Sequence, residues 1–103
     1  MEEHLNDIRK YTANVNENAV AAIVKYCGIA LRNTDSALVA VTDRSELQTV
    51  RDGFATKKLG LGPEAADAAI KAVVEKMAGV PRKSRVTFYY LLAEASGTLD
   101  KLA

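Results

Sequence analysis

Residues 84–97 read SRVTFYYLLAEASG, and this stretch decides the fold. From Val86 to Ala93 it is apolar on nearly every side, which is typical of a helix at the buried centre of a domain. Residues 91–95 are good helix formers, so we predict a helix over 84–96. Read as a strand, residues 85–90 would alternate between two faces, and this alternative stays open.

Three further helices are predicted upstream, because apolar residues recur there at helical spacing. They cover residues 17–27, 44–58 and 63–78. Start and stop signals separate the last two of them. Gly60 suits the left-handed position that ends a helix, and Pro63 suits the first position of the next helix.

We therefore predict an all-α fold, in which residues 1–103 form a single compact domain of four main helices plus short helical segments. The short segments are expected at the N-terminus, around 36–41 and at the C-terminus. Residues 38–41 read Leu-Val-Ala-Val, which also suits a short strand. The alternative fold class is α+β, with 37–41 and 85–90 paired as a small two-stranded element.

The composition indicates an ordinary globular protein. The chain has 103 residues, of which 49% are hydrophobic, and its formal net charge is +1. A dedicated nucleic-acid binder usually carries a clear basic excess, so binding of nucleic acid is not favoured. Cys27 is the only cysteine, which excludes an intramolecular disulfide and favours a reducing compartment. The N-terminus is acidic, and no apolar run is long enough to span a bilayer, so we predict a cytoplasmic protein without a membrane segment.

Four stretches carry a resemblance to a known family. They are HLNDIRKYT at 4–12, IVKYCGIALRNTDSALVA at 23–40, VRDGFATKKLGL at 50–61 and KSRVTFYYLLAE at 83–94. In this order they resemble a bacterial family known only as a domain of unknown function, made of small helical proteins of similar length. The resemblance covers nearly the whole chain. It implies a helical fold and a bacterial cytoplasmic setting, and it implies no activity, cofactor or catalytic residue.

A local basic cluster is the first candidate site. Arg82, Lys83 and Arg85 precede or open the last main helix. Unpaired amides and the positive end of the helix dipole at such a position can hold a phosphate or a carboxylate, so these residues are candidate anion ligands. The competing interpretation is that they keep the flank of an apolar helix hydrated or pair with acidic side chains.

Two neighbouring tyrosines, Tyr89 and Tyr90, are the second candidate site. A tyrosine ring is apolar while its hydroxyl forms hydrogen bonds, which suits a protein interface. On a helix the two rings diverge by about a quarter turn, so they cannot face one ligand equally well. The competing interpretation is core packing with the hydroxyls reaching the surface.

No catalytic residue, metal site or cofactor is predicted. His4 is the only histidine, which is too few for a typical zinc site, and Cys27 lies on an apolar face where an inert thiol is expected. The first hypothesis is therefore a non-enzymatic cytoplasmic binding or scaffolding protein, with a homodimer as one form of it, because a partner could cover the apolar last helix. The second is an anion or nucleic-acid binder that uses the basic cluster. An enzyme of another kind is the third.

Overall fold

The computed structural model describes residues 2–102, and every regular element in that range is a helix. Five α-helices occur there, namely α1 (Glu2–Ile8), α2 (Glu17–Cys27), α3 (Arg44–Thr49), α4 (Pro63–Lys76) and α5 (Arg85–Ala95). Two short 3-10 helices, Gly28–Arg32 and Leu99–Lys101, and one π-helix, Val50–Lys58, complete the set. The described part contains no β-strand, and the predicted all-α class is confirmed.

Short polar side chains begin three of the helices, because their oxygens accept hydrogen bonds from amides that have no partner inside the helix. Asn16 accepts from the amide of Ala19 at the start of α2. Asp43 caps α3 in the same way, and Ser84 caps α5.

Helix α5 is the centre of the molecule. All eight residues from Val86 to Ala93 are buried. Helices α1, α2 and α4 and the π-helix pack around α5, and Leu102 folds back onto the same core. The predicted central helix is confirmed, and its apolar surface is covered by other parts of the same chain.

The segment predicted as a short helix at 36–41 is instead a series of turns with one isolated β-bridge. Leu38 pairs with Ser84, through hydrogen bonds that join Val39 to Lys83 and Arg85 to Ala37, each 2.8 Å long. The two-stranded alternative is also wrong, because the chain turns into α5 directly after Ser84. The backbone groups that follow Ser84 form the hydrogen bonds of α5, so they cannot extend the pairing with residues 37–41.

The helix predicted over 44–58 is an α-helix in its first part and a π-helix in its second. The α-helical part α3 ends at Thr49, and the following nine residues form the π-helix. Val50, Phe54 and Ala55 all reach the core from this wider segment. Spacings of four and five residues share one face of a π-helix, so the segment presents these side chains together.

None of the helices within residues 2–102 combines the length and the apolar character that a membrane crossing requires.

Candidate functional site

The side chain of Arg85 forms the most extensive polar cluster in the interior. Its Nε donates to the carbonyl of Ser36 (2.6 Å), and Nη1 donates to the hydroxyl of Tyr89 (3.0 Å). Its Nη2 donates to the carbonyl of Leu38 (3.1 Å) and to the carboxylate of Glu46. Only 11% of the Arg85 side chain is exposed, so these four bonds satisfy a charge that is largely removed from water.

The hydrogen bonds of this cluster connect three parts of the fold. Arg85 belongs to the first turn of α5, Glu46 to α3, and the two carbonyls to the connection between the first 3-10 helix and α3. Burial by itself lowers the pKa of Arg85, but its bonds to Tyr89 and Glu46 outweigh that effect and raise it. The guanidinium has five N–H donors and uses four of them here, which leaves little capacity for an external anion.

The three residues of the predicted anion site have different surroundings. Arg82 is exposed, and Lys83 donates from Nζ to the carbonyl of Val80. Both line a groove of about 320 Å³ that also contains Asp35. Arg85 is occupied in the interior cluster. The structure therefore brings two of the three residues to one groove beside an acid, and anion binding there stays a prediction.

The two tyrosines of the predicted interface are both interior. Tyr90 is 1% exposed and Tyr89 is 6% exposed. The hydroxyl of Tyr90 accepts a hydrogen bond from the amide of Asn16 (2.9 Å), and that of Tyr89 accepts from Arg85. Core packing therefore describes both rings, with the hydroxyls meeting polar groups of the chain. Their role in an interface stays a prediction that this arrangement does not favour.

Tyr26 and Ile29 are the large apolar side chains that the described part of the chain exposes, at 42% and 78%. We call this pair the Tyr26–Ile29 patch. Gly28 lies between them with φ of +46°, ends α2 and begins the 3-10 helix Gly28–Arg32, so Ile29 lies outside the core face. Sequence reasoning missed Ile29. The available signal was its position just after the end of the helix predicted over 17–27, beyond a glycine.

The patch has a rigid aromatic support beneath it. The ring of Tyr26 meets Phe54 edge to face with 5.3 Å between ring centroids, and it meets Tyr89 at 6.3 Å. Phe54 and Tyr89 stack on each other at 4.2 Å. Such contacts fix ring positions beyond simple burial. The exposed edge of Tyr26 is therefore held in place by the same helix that carries Arg85.

Cys27 is half-buried between the two patch residues. Burial raises the pKa of its thiol to about 11, and the nearby positive charge of Arg85 only partly opposes this effect. The thiolate is the reactive form of cysteine, and it is scarce near neutral pH when the pKa is this high. The thiol therefore behaves as the inert group that the sequence indicated.

Cys27 should consequently react slowly with alkylating reagents. With a pKa of about 11, the thiolate fraction near neutral pH is roughly a hundredfold lower than for a thiol at the ordinary pKa of 9.0. We expect iodoacetamide to modify the folded protein roughly a hundredfold more slowly than the urea-unfolded chain, followed by mass spectrometry. Equal rates in the two states would contradict the burial described here.

A groove of about 410 Å³ beside α1 contains the lone histidine, His4. Burial is the main cause that lowers the pKa of His4, while Glu3 and Asp7 raise it in part. The carboxylate of Asp7 accepts a hydrogen bond from the buried Thr87. Residues 2–102 contain no group of three His, Cys, Asp or Glu side chains placed to hold a metal ion.

Comparison with models of known protein families finds one that matches this chain. A family model described as "Protein of unknown function (DUF2853)" matches residues 3–100. The chain belongs to this family. No curated protein matches it. Membership of DUF2853 agrees with the helical domain that the sequence resembled, and it assigns no role to the Arg85 cluster or to the Tyr26–Ile29 patch.

Proposed function

We propose that this DUF2853 protein is a small non-enzymatic binding protein of the cytoplasm, which docks a partner through the Tyr26–Ile29 patch. The observation that carries the proposal is the 78% exposure of Ile29, three residues after a half-exposed tyrosine whose ring packs on Phe54. Tyrosine is among the residues enriched where a few side chains carry most of the binding energy of a protein interface.

The interior gives further support to a binding role rather than a catalytic one. Within residues 2–102, the buried side-chain nitrogen and oxygen atoms all have hydrogen-bond partners in the chain. Arg85, Glu46 and Tyr89 satisfy one another, and the thiol of Cys27 is protonated near neutral pH. An active site usually holds reactive groups ready for a substrate, whereas these groups serve the fold.

The size of the patch favours a transient partner over a permanent homodimer. A stable interface buries about 800 Å² on each partner, and two side chains supply only part of that area. A symmetric dimer would also bring the exposed basic residues beside the patch, Lys25 and Arg32, close to their own copies. A second copy is therefore the less suitable occupant.

Site-specific photocrosslinking tests the proposal. Benzoylphenylalanine is introduced at position 29 or, as a control, at position 21, which is an exposed alanine on α2. After irradiation of cells that produce the full chain, we expect a discrete adduct several times more abundant at position 29. A Tyr26→Ser substitution should reduce that adduct, because it removes half of the anchor.

Equal adduct yields at positions 29 and 21 would contradict docking at this patch. Peptide mapping of the adduct identifies what the patch binds, and a crosslink to the same chain would mean self-association. Light scattering at several concentrations then decides that case, since a homodimer must dissociate on dilution.

A further inference from the structure

We infer that the partner presents an acidic segment with an apolar side chain, which inserts at Ile29 while its acids meet the basic residues around the patch. This inference rests on the proposed function and names the chemistry of the partner at the same surface. It depends on how charges are distributed around the Tyr26–Ile29 patch.

Arg32 lies on the same face of the chain as Ile29. Both belong to the 3-10 helix Gly28–Arg32, in which side chains three residues apart eclipse each other. Arg32 is exposed, and no acid within residues 2–102 lies within ion-pair distance of it. Its guanidinium can therefore bind a carboxylate of a partner without first breaking an ion pair.

Helix α2, which carries Tyr26, holds a second basic residue that is unpaired within residues 2–102. Lys25 precedes Tyr26, is exposed, and has no ion pair in the described part of the chain. The Tyr26 hydroxyl lies 3.7 Å from where a Cβ on Gly53 would be, so Tyr26 borders the π-helix there. The two helical segments that carry the patch residues therefore each hold one exposed basic residue without an ion pair in the described chain, Lys25 on α2 and Arg32 on the 3-10 helix.

A groove continues from this border along the π-helix. It has a volume of about 460 Å³ and contains Gly53, Asp52 and Lys57 among its lining residues. Asp52 pairs with Arg51 at 3.0 Å, and the same Arg51 also pairs with Asp67 at 3.5 Å, whereas Lys57 has no ion pair among residues 2–102. The groove lining therefore holds one acid and one base, and Lys57 is the side chain in it that can meet an acid of the partner.

These charges discriminate between occupants. Complementary charge accelerates association and rejects partners of like charge, so an acidic segment is favoured and a second basic patch is not. The groove reaches Gly53 beside the Tyr26 hydroxyl and gives an extended segment a place to lie, which a flat membrane surface does not use. We therefore assign the surface to a peptide segment of another protein.

Short fluorescent peptides provide the test. One peptide combines Glu with a central Leu, a second replaces every Glu with Lys, and a third replaces Leu with Ser. We expect the acidic Leu peptide to bind in fluorescence anisotropy, with affinity that falls as salt rises, and the other two to bind far more weakly. Replacing Lys25 or Arg32 with Gln should weaken binding roughly twofold to fivefold for each charge. Lys71→Gln, an exposed lysine on α4, is the matched control and should have no effect.

The outcomes separate the inference from the proposed function. Equal binding of the acidic and the Lys peptides through Ile29 would overturn the inference and leave docking at the patch intact. Acidic-peptide binding that survives Ile29→Asp would overturn the patch as the anchor. Tighter binding to phosphatidylserine vesicles than to the peptide would show a membrane surface instead, and no binding to any peptide would also overturn the inference.

Discussion

Replacing Arg85 with Met should lower the free energy of unfolding by about 3 kcal/mol, because it leaves the Glu46 carboxylate partly buried without its cation. The Ser36 and Leu38 carbonyls and the Tyr89 hydroxyl lose their donor in the same substitution. Only 11% of the Arg85 side chain and 20% of the Glu46 side chain are exposed, so water can compensate only in part. Urea denaturation followed by circular dichroism measures the change.

Arg82→Met is the matched control for this prediction. Arg82 is exposed, so its loss should change stability by less than about 0.5 kcal/mol. The double variant Arg85→Met/Glu46→Leu should cost less than the sum of the two single changes, because neither charge remains without the other. If Arg85→Met proves no more costly than Arg82→Met, the interior cluster does not stabilise the fold.

Phe54→Ala should be the most destabilising change on the π-helix, at about 3–5 kcal/mol. Phe54 is 1% exposed, so the substitution opens a cavity at the stacked contact with Tyr89. Phe54→Leu keeps most of the volume and should cost under about 1.5 kcal/mol. Urea denaturation of both variants gives the comparison.

The same pair of variants connects stability with the proposed docking surface. Phe54 also supports the ring of Tyr26, so binding at the patch should weaken in Phe54→Leu even where the fold is retained. Ile29→Asp should abolish binding and leave the free energy of unfolding almost unchanged, since Ile29 is exposed. Similar unfolding curves for Phe54→Ala and Phe54→Leu would contradict the packing described.

The fold could be predicted from the sequence where local signals and burial agree. Helix α5 is the clearest case, because a run of apolar residues follows a serine cap and needs no knowledge of its neighbours. Its confirmed burial from Val86 to Ala93 follows from that pattern. The change of α3 into a π-helix could not be predicted, because a spacing of four residues suits both helix types and only packing decides between them.

The candidate site could not be predicted from the sequence, because it depends on contacts between residues far apart in the chain. Arg85 belongs to a basic triplet in the sequence, yet its partners Ser36, Leu38 and Glu46 lie 49, 47 and 39 positions away. No local pattern shows that the guanidinium turns inward. The exposure of Ile29 likewise follows from the backbone at Gly28, where φ of +46° redirects the chain.

The connection that holds Ser36 and Leu38 has a consequence for the order in which the chain folds. It has no regular helix of its own, and it is fixed by one β-bridge and by bonds from a side chain that comes much later in the sequence. Closing such a long loop costs entropy before any of these bonds can form. The connection should therefore gain its structure only after α3 and α5 have met, and its amides should be among the first to exchange with solvent when the native protein opens locally.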